Sequence, residues 1–444
     1  MVYLGKNKQM VASVMPPTVS NVSGGEAPSS DLKDTEFLKI GKKIVAPWFD
    51  SNNAHPWNIR SSYMRKSSVL KSAIGYKADL SVSQGLFACS VESINPDGTE
   101  VLKPVTDKRI ANFLSSRQIR KTTQSSYLNL YSFGNAFAYV IMGKGDEISI
   151  VDGMDAMYCR FGKKSKNGAK DTLYFHSSWH NGRPAEETIS KFSCIDTRLP
   201  IELQMEQARK LRSFIYPLSF HTPGSIYYAD EPWLPARESG HLDITLKVAE
   251  FTRALFDNQI SIKYHVQIPY SYWEKLYPVH EYPTPQDKAR REALITSRLD
   301  EIEESLCSTA NSRKTIFSHY SVGDDGKTKD GWKIDVLEDR LTSQHYLPQA
   351  AASNAEVFTS MGINPSVKGL SMAAGPYANQ SGGSNIREAF LVDSALAWSD
   401  RQEVNDLHRL LIRLMGAGED VEVRTKATIL TTLDTGAGTK KTVS

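Results

Sequence analysis

Phe358-Thr359-Ser360-Met361-Gly362-Ile363-Asn364-Pro365-Ser366-Val367 is followed by a run rich in Gly, Ser and Asn, and then by Ser384-Asn385-Ile386-Arg387-Glu388-Ala389-Phe390. An Ala-rich helical pattern ends at Gly362, where a residue without Cβ takes positive φ at almost no cost. Pro365 keeps the helix from resuming. A second helical pattern opens at Asn385, a capping residue type, with Glu388 where a capping-box partner belongs. Such a cap contributes about 1 kcal/mol. Between the two patterns lie Gly369, Gly375, Pro376, Gly382 and Gly383, with Ser371, Asn379, Gln380 and Ser381. A loop of this length without structure of its own is uncommon in a compact domain, and is either functional or a linker. Ile363, Val367, Leu370 and Met372 cluster at its entrance, so that end can pack.

The chain around this loop has 444 residues, enough for two or three domains. Its composition is globular, with 40% hydrophobic and 23% charged residues. A net charge of +3 gives no global field that would advertise a polyanion partner, although a local ring of charges could still touch one. Cys89, Cys159, Cys194 and Cys307 are too far apart for a C-x-x-C pair and suit a reducing compartment. The first residues lack a secretory apolar core, and no apolar run approaches the ~20 residues that span a bilayer. The expectation is a soluble intracellular protein with no membrane partner.

Taken in order, residues 1–33 read as a mobile arm, with Pro16-Pro17, Gly24-Gly25 and little periodicity. Helices are expected over 63–77 and 110–132, the second broken by Gly134. Residues 136–142 read as a buried strand and 148–151 as its returning partner. Short strands then alternate with Lys/Gly/Asn turns over 157–175, so this half is α+β with antiparallel hairpins. His176 and His180 have the spacing of metal ligands on a helix, but they follow a strand and lack an acidic partner. They read as solvated or hydrogen-bonded histidines. The Pro/Gly-rich residues 220–235 read as a boundary.

Beyond Gly240 a helix to about Gln259 repeats Ile244, Val248, Phe251 and Leu255 along one face. Leu242, Leu246 and Ala249 widen the stripe, as in a helix packed on two sides. Residues 260–268 alternate like a strand, and Tyr270, Tyr272, Trp273 and Tyr277 form an aromatic patch that is either core or an interface anchor. Thr284-Pro285 caps a helix with Ile295, Leu299, Ile302 and Leu306 at near-heptad spacing. Residues 316–322 and 332–337 read as strands. Residues 341–361 form an Ala-rich helix that Pro348 starts or kinks. The longest helix signal runs over 385–415, with Val404, Leu407, Leu411 and Leu414 as its stripe and Gly416 at its C′ position. The tail beyond Thr432 is rich in Gly, Thr and Lys.

No P-loop, G-x-G-x-x-G, H-E-x-x-H or G-x-S-x-G pattern is present. Without a recognisable nucleophile, base or metal set, an enzyme has little support, and no cofactor is implied.

The order of elements resembles that of the portal proteins of tailed bacteriophages. Three stretches carry the likeness. Tyr131-Ser132-Phe133-Gly134-Asn135-Ala136 looks like the family's Tyr-x-x-Gly-Asn-Ala pattern at a helix-to-strand junction. Residues 246–259, ending in Phe256-Asp257-Asn258, look like the helix before an inserted module. Residues 358–385 are similar to the family's helix, Gly-Ile-x-Pro turn, polar loop and Ser-Asn helix start.

The resemblance implies an α+β ring subunit. Its parts would be a wing at 34–235, stem helices at 236–259 and 339–361, and a clip at 260–338. A tunnel loop would occupy 362–384, and a long wing helix with reduced crown 385–416, before a C-terminal segment at 417–444. It also implies a homo-oligomeric ring, usually of twelve subunits, at one capsid vertex, assembled in the host cytoplasm. Double-stranded DNA would pass through the ring. A terminase large subunit, a head–tail adaptor and the major capsid or scaffold protein would be its partners. Channel contacts would come from Lys368, Ser371, Asn379, Gln380, Ser381, Ser384, Asn385 and Arg387. Tyr270, Tyr272, Trp273 and Tyr277 would meet partners, and Ile244, Val248, Phe251 and Leu255 would pack between subunits. Another ring-forming head–tail adaptor is the alternative, and a metal-dependent nucleic-acid enzyme a more distant one.

Overall fold

A single buried helix, Arg117–Phe133, organises the larger part of the molecule. The computed structural model describes residues 36–48, 53–96, 98–181, 183–257, 264–307, 347–368 and 383–428, with short strands at 3–4, 10–11, 321–322, 328–329 and 333–336. One continuous helix was expected across 110–132. The structure has Lys108–Ser115 and Arg117–Phe133, separated at Ser116. Ser116 is extended, and its hydroxyl accepts from the Ile119 N–H at 3.4 Å. A serine side chain that offers the backbone this local alternative favours a cap over a helix interior.

At the other end Gly134 is left-handed, with φ +71°, and its N–H bonds the Leu130 carbonyl at 2.8 Å. A Cβ there would lie 2.3 Å from the Asp230 carbonyl oxygen and 2.7 Å from that of Ala229. The next residue exploits that close approach. Buried Asn135 donates to the carbonyls of Phe133 (2.8 Å) and Ala229 (2.9 Å) and accepts from the Ala229 N–H at 3.1 Å. The Gly134-Asn135 pair is therefore a joint between helix, strand and the 229–230 segment.

Strand Asn135–Met142 is the centre of an antiparallel sheet, between Ser213–Ser219 and Ile148–Met154. The returning strand anticipated at 148–151 is present and longer. A second antiparallel sheet places Leu86–Ile94 between Val421–Thr425 and Glu100–Pro104. A third places Thr172–Phe175 between Ser190–Ser193 and Cys159–Phe161. The class is α+β, as expected.

Several boundaries moved. The helix expected over 63–77 is a wide turn, Arg60–Met64, followed by Ser68–Val82, because the Ser67 hydroxyl caps Leu70 N at 3.1 Å. The single helix expected over 385–415 is two, Gly383–Leu396 and Trp398–Leu414. Arg401 accounts for the break. Its guanidinium donates to the Ser394 carbonyl (3.3 Å), which an unbroken helix would use for Trp398, and to the Leu80 carbonyl (2.8 Å). The helix also begins at Gly383, so Asn385 lies inside it and does not cap it. Among the described residues Pro285–Cys307 is the longest helix, at 23 residues.

The stripe of Val404, Leu407, Leu411 and Leu414 is buried, and Gly416 ends its helix with φ +92°. The Gly416 N–H bonds Arg413 O at 2.9 Å and the Ala417 N–H bonds Ile412 O at 3.0 Å, a complete Schellman closure. Against this stripe the Trp398–Leu414 helix runs antiparallel to Arg117–Phe133. Thr123 Oγ1 meets His408 Nε2 at 2.9 Å, and Tyr131 donates to Asp400 Oδ2 at 2.7 Å.

The chain divides into two compact units, residues 1–246 with 348–444, and residues 247–347. The Pro/Gly-rich residues 220–235, read as a boundary, lie inside the first unit. Tyr228 stacks on buried Trp48 at 4.3 Å, and Trp233 donates to Ser132 O at 3.2 Å. In the same segment Glu231 is buried between His55 Nε2 at 3.3 Å and Arg237 Nη1 at 2.6 Å. Burial alone would raise its pKa, but the hydrogen bond and charge of His55 and the charge of Arg237 hold it below the ordinary value.

The second unit pairs Tyr264–Gln267 with Lys333–Val336 and Ser321–Val322 with Thr328–Lys329, both antiparallel. Helices Tyr270–Leu276 and Pro285–Cys307 complete its described part. Thr284 caps the latter by accepting from Asp287 N at 3.2 Å, and Asp287 accepts from Thr284 N at 3.3 Å. No helix of the described residues is long and apolar enough to cross a membrane.

Candidate functional site

The roots of the polar loop are where the first unit concentrates its contacts near the quoted stretch. Helix Leu347–Ser360 ends as read. Gly362 has φ +62°, its N–H bonds Thr359 O at 2.9 Å, and the Ile363 N–H bonds Phe358 O at 2.9 Å. Phe358 and Ile363 are both buried, the apolar contact that accompanies a Schellman end. Pro365 opens a short turn, Pro365–Lys368.

The turn is tied to helices Ser68–Val82 and Gly383–Leu396 by a chain of polar contacts. The Asn364 N–H bonds the Asp393 carboxylate, and Tyr76 donates to Asp393 Oδ2 at 3.0 Å. Lys368 places its ammonium 4.8 Å from the Tyr76 ring centroid. Burial raises the pKa of Asp393 and of Tyr76, and desolvation lowers that of Lys368. Asp393 stands on helix Gly383–Leu396, which begins after the loop. Tyr76 therefore links the entry and exit of the loop through one carboxylate. Sequence reading identified Lys368 but missed Tyr76 and Asp393. Their only sequence signal was polar character on otherwise apolar helix faces.

Arg387 is half-buried on the exit helix. Ser384 and Asn385 are on the same helix, with side chains outside the described residues. Ser371, Asn379, Gln380 and Ser381 lie outside the described residues.

Of the residues expected as stem helices, the first set falls in helix His241–Asp257 and the second in Leu347–Ser360. In the first unit the start of the former meets the middle of the latter. His241 Nδ1 is 3.4 Å from Ser353 Oγ, and Thr245 donates to Asn354 Oδ1 at 3.2 Å. Of the apolar stripe, Leu242 is buried, Ile244 is 39% exposed, and Val248 and Phe251 are half-buried. The Leu255 side chain lies outside the described residues. The stripe is thus only partly covered within one chain.

In the second unit the four aromatics separate into two kinds. Trp273 is 7% exposed, with Tyr272 edge-on at 5.2 Å, whereas Tyr270 is 69% exposed. Tyr277 is half-buried, and its carbonyl accepts from Arg291 Nε at 2.8 Å. Arg291 also lies 6.0 Å from the Tyr270 ring centroid and pairs with Glu274 at 3.4 Å. Trp273 is therefore core, whereas Tyr270 is exposed.

No group of three or more His, Cys, Asp or Glu side chains able to hold a metal occurs among the described residues. His176 Nδ1 accepts from Ser178 N at 3.0 Å, and the His180 ring stacks on Trp57 at 4.0 Å. His176 is thus a hydrogen-bonded histidine, one of the two kinds read from the sequence, and His180 is held by ring stacking. Cys89, Cys159 and Cys194 are buried thiols, and burial pushes each thiol pKa up.

Neither a family model nor a curated protein matches the sequence. Solved structures do match in fold. One is a chain from the virion of a native gene transfer agent particle. It has 13% identity and a TM-score of 0.56, over 87% of this chain and 86% of that one. A second comes from the neck of the empty particle computed with C6 symmetry, with 13% identity and a TM-score of 0.54 over 87% and 86% of the two chains. A third comes from the neck of the native particle computed with C12 symmetry, with 13% identity and a TM-score of 0.55 over 87% of each chain. The chain accordingly shares the α+β fold of these particle and neck chains.

Proposed function

We propose that this chain is the portal subunit of a phage-like particle, forming a closed ring at one capsid vertex through which double-stranded DNA enters and leaves. The carrying observation is a fold likeness that spans 87% of the chain, to a component of a neck computed with C12 symmetry. A ring closes through a heterologous interface, two different faces of one subunit meeting around a rotation axis. The partly uncovered stripe of Ile244, Val248 and Phe251 supports such a face.

In this reading helices His241–Asp257 and Leu347–Ser360 are the stem, and the clip is residues 260–338, within the second unit. The clip docks the terminase during packaging and the head–tail adaptor afterwards, with Tyr270 as an anchor. Residues 362–384 are the tunnel loop, rooted by Tyr76 and Asp393. Its side chains are mainly small and polar, which suits brief, replaceable phosphate contacts. A dense row of Lys or Arg would tighten the grip through counterion release. The chain itself performs no catalysis, and a separate motor supplies the work.

Negative-stain electron microscopy with light scattering of the purified chain tests the ring. Closed rings without nucleotide or metal are expected. A strictly monomeric species across micromolar concentrations and a range of salt would overturn the reading.

A further inference from the structure

The turn over residues 163–170 reads Lys163-Lys164-Ser165-Lys166-Asn167-Gly168-Ala169-Lys170, four lysines with a single acid, Asp171, following them. It joins strands Cys159–Phe161 and Thr172–Phe175 and is closed internally. The Ser165 N–H bonds Ala169 O at 2.9 Å, and the Gly168 N–H bonds Ser165 O at 2.8 Å. It is also fixed from outside. The Lys163 N–H reaches Ile44 O at 3.2 Å, and the Lys164 N–H reaches the Tyr227 hydroxyl at 3.0 Å.

The lysine side chains are arranged over a buried aromatic floor. Lys163 stands 5.4 Å from the Phe37 ring centroid, and Lys164 5.2 Å from that of Tyr227. Lys170 stands 4.9 Å from the Phe161 centroid and donates to the Tyr227 carbonyl at 2.7 Å. Phe37, Phe161 and Tyr227 are themselves buried, and Phe37 meets Tyr227 edge-on at 6.0 Å. Lys163 and Lys166 are exposed. Arg198 joins the group by donating to Asn167 O at 3.3 Å, while its other face pairs with Asp196 at 2.7 Å. Burial, and then the charges of Lys164 and Arg198, lower the pKa of Lys170 to about 8. These cations are thus close enough to repel one another.

We infer that this lysine turn is a second, sequence-independent contact for the phosphate backbone of duplex DNA, separate from the polar loop at 362–384. Compact ammonium groups suit phosphates as point charges without reading bases. A protein partner would need apolar anchors in the patch, but the aromatic side chains here are buried beneath the lysines. The rigid turn costs little further ordering on binding. In a ring the patch would repeat once per subunit, which multiplies a weak contact. The inference goes beyond the portal reading and stands whether or not the chain closes into a ring.

The test is fluorescence anisotropy of the full-length protein with a labelled duplex oligonucleotide across a salt series, beside light scattering of each sample. Replacing Lys163, Lys164 and Lys166 together by Glu should lower the log–log salt slope by roughly three units, because each phosphate contact contributes about 0.9. Lys166→Glu alone, at the exposed tip, should lower it by about one unit, and serves if the triple variant fails to fold. Lys368→Gln reports on the polar loop and should leave the turn's share intact. Unchanged affinity and slope in the folded turn variants would overturn the inference, as would stronger competition from polyglutamate than from unlabelled duplex at equal charge. Monomeric wild-type protein that still binds DNA through the turn would remove the ring reading and keep this one.

Discussion

Gly134 and Gly362 both hold positive φ at a helix end, yet an added methyl group would meet different surroundings. At Gly362 nothing lies within 4 Å of the new Cβ, whereas at Gly134 the Asp230 carbonyl oxygen would be 2.3 Å away. Gly362→Ala should therefore cost about 1–2 kcal/mol, the price of left-handed backbone alone. Gly134→Ala should add roughly 1–3 kcal/mol of overpacking to that. Chemical denaturation of both variants checks the order, and equal midpoints would refute the role given to the 229–230 segment.

His408 supports a second residue-scale prediction. It is fully buried against Thr123, and burial pushes its pKa down to about 3. The unfolded chain binds a proton near the ordinary histidine pKa of ~6.5, while the folded chain does not. Stability at this residue is thus intact above ~6.5 and declines as pH falls toward the folded value, by at most about 1.4 kcal/mol per pH unit. Melting curves at pH 7.5 and 5 should show a steeper loss in the wild type than in His408→Gln. Parallel losses would mean that His408 does not remain neutral.

At the scale of elements, the portal reading predicts that helix Tyr270–Leu276 separates folding from docking. Trp273→Ala should destabilise the second unit by about 3–5 kcal/mol, as loss of a buried aromatic does. Tyr270→Ala should leave the unit's stability within about 0.5 kcal/mol and weaken capture of the terminase or adaptor. Circular dichroism melts and pull-downs with those partners read the two effects. A Tyr270→Ala variant that melts early would make this side chain part of the core. The broken C-terminal helix makes a related point. Its 3.6-residue periodicity is continuous, so the sequence showed one helix. The break depends on Arg401 reaching the Leu80 carbonyl across 321 positions of chain, which no local pattern records.

For the whole molecule, the portal reading expects the polar loop to act through weak, replaceable contacts and not through tight binding. Removing residues 375–382 should leave ring assembly unchanged, because the Phe358, Ile363, Tyr76 and Asp393 contacts that root the loop lie outside the deletion. DNA packaging or retention should fall, measured as nuclease-protected DNA per particle. Normal packaging by the deletion variant would remove the loop from the mechanism.

Helix ends were the most legible features in the sequence alone. Gly134, Gly362, Gly416 and the Thr284 cap all behave as read, because such closures join residues within a few positions and depend on residue type. Strand Asn135–Met142 and its returning partner were legible for the same reason, as was the buried stripe of Trp398–Leu414. Tertiary structure alone decided what joins distant positions: Tyr76 with Asp393, Thr123 with His408, Glu231 with His55, and Asn135 with Ala229. It also decided that Asn385 lies within a helix and that Trp273 belongs to the core. The lysine turn shows the division within one stretch. Its charges stand in the sequence, but Phe37, Tyr227 and Arg198 reach it only through the fold. Local closure depends on residue type at fixed spacing, whereas burial and long-range pairing depend on which surfaces the whole chain brings together.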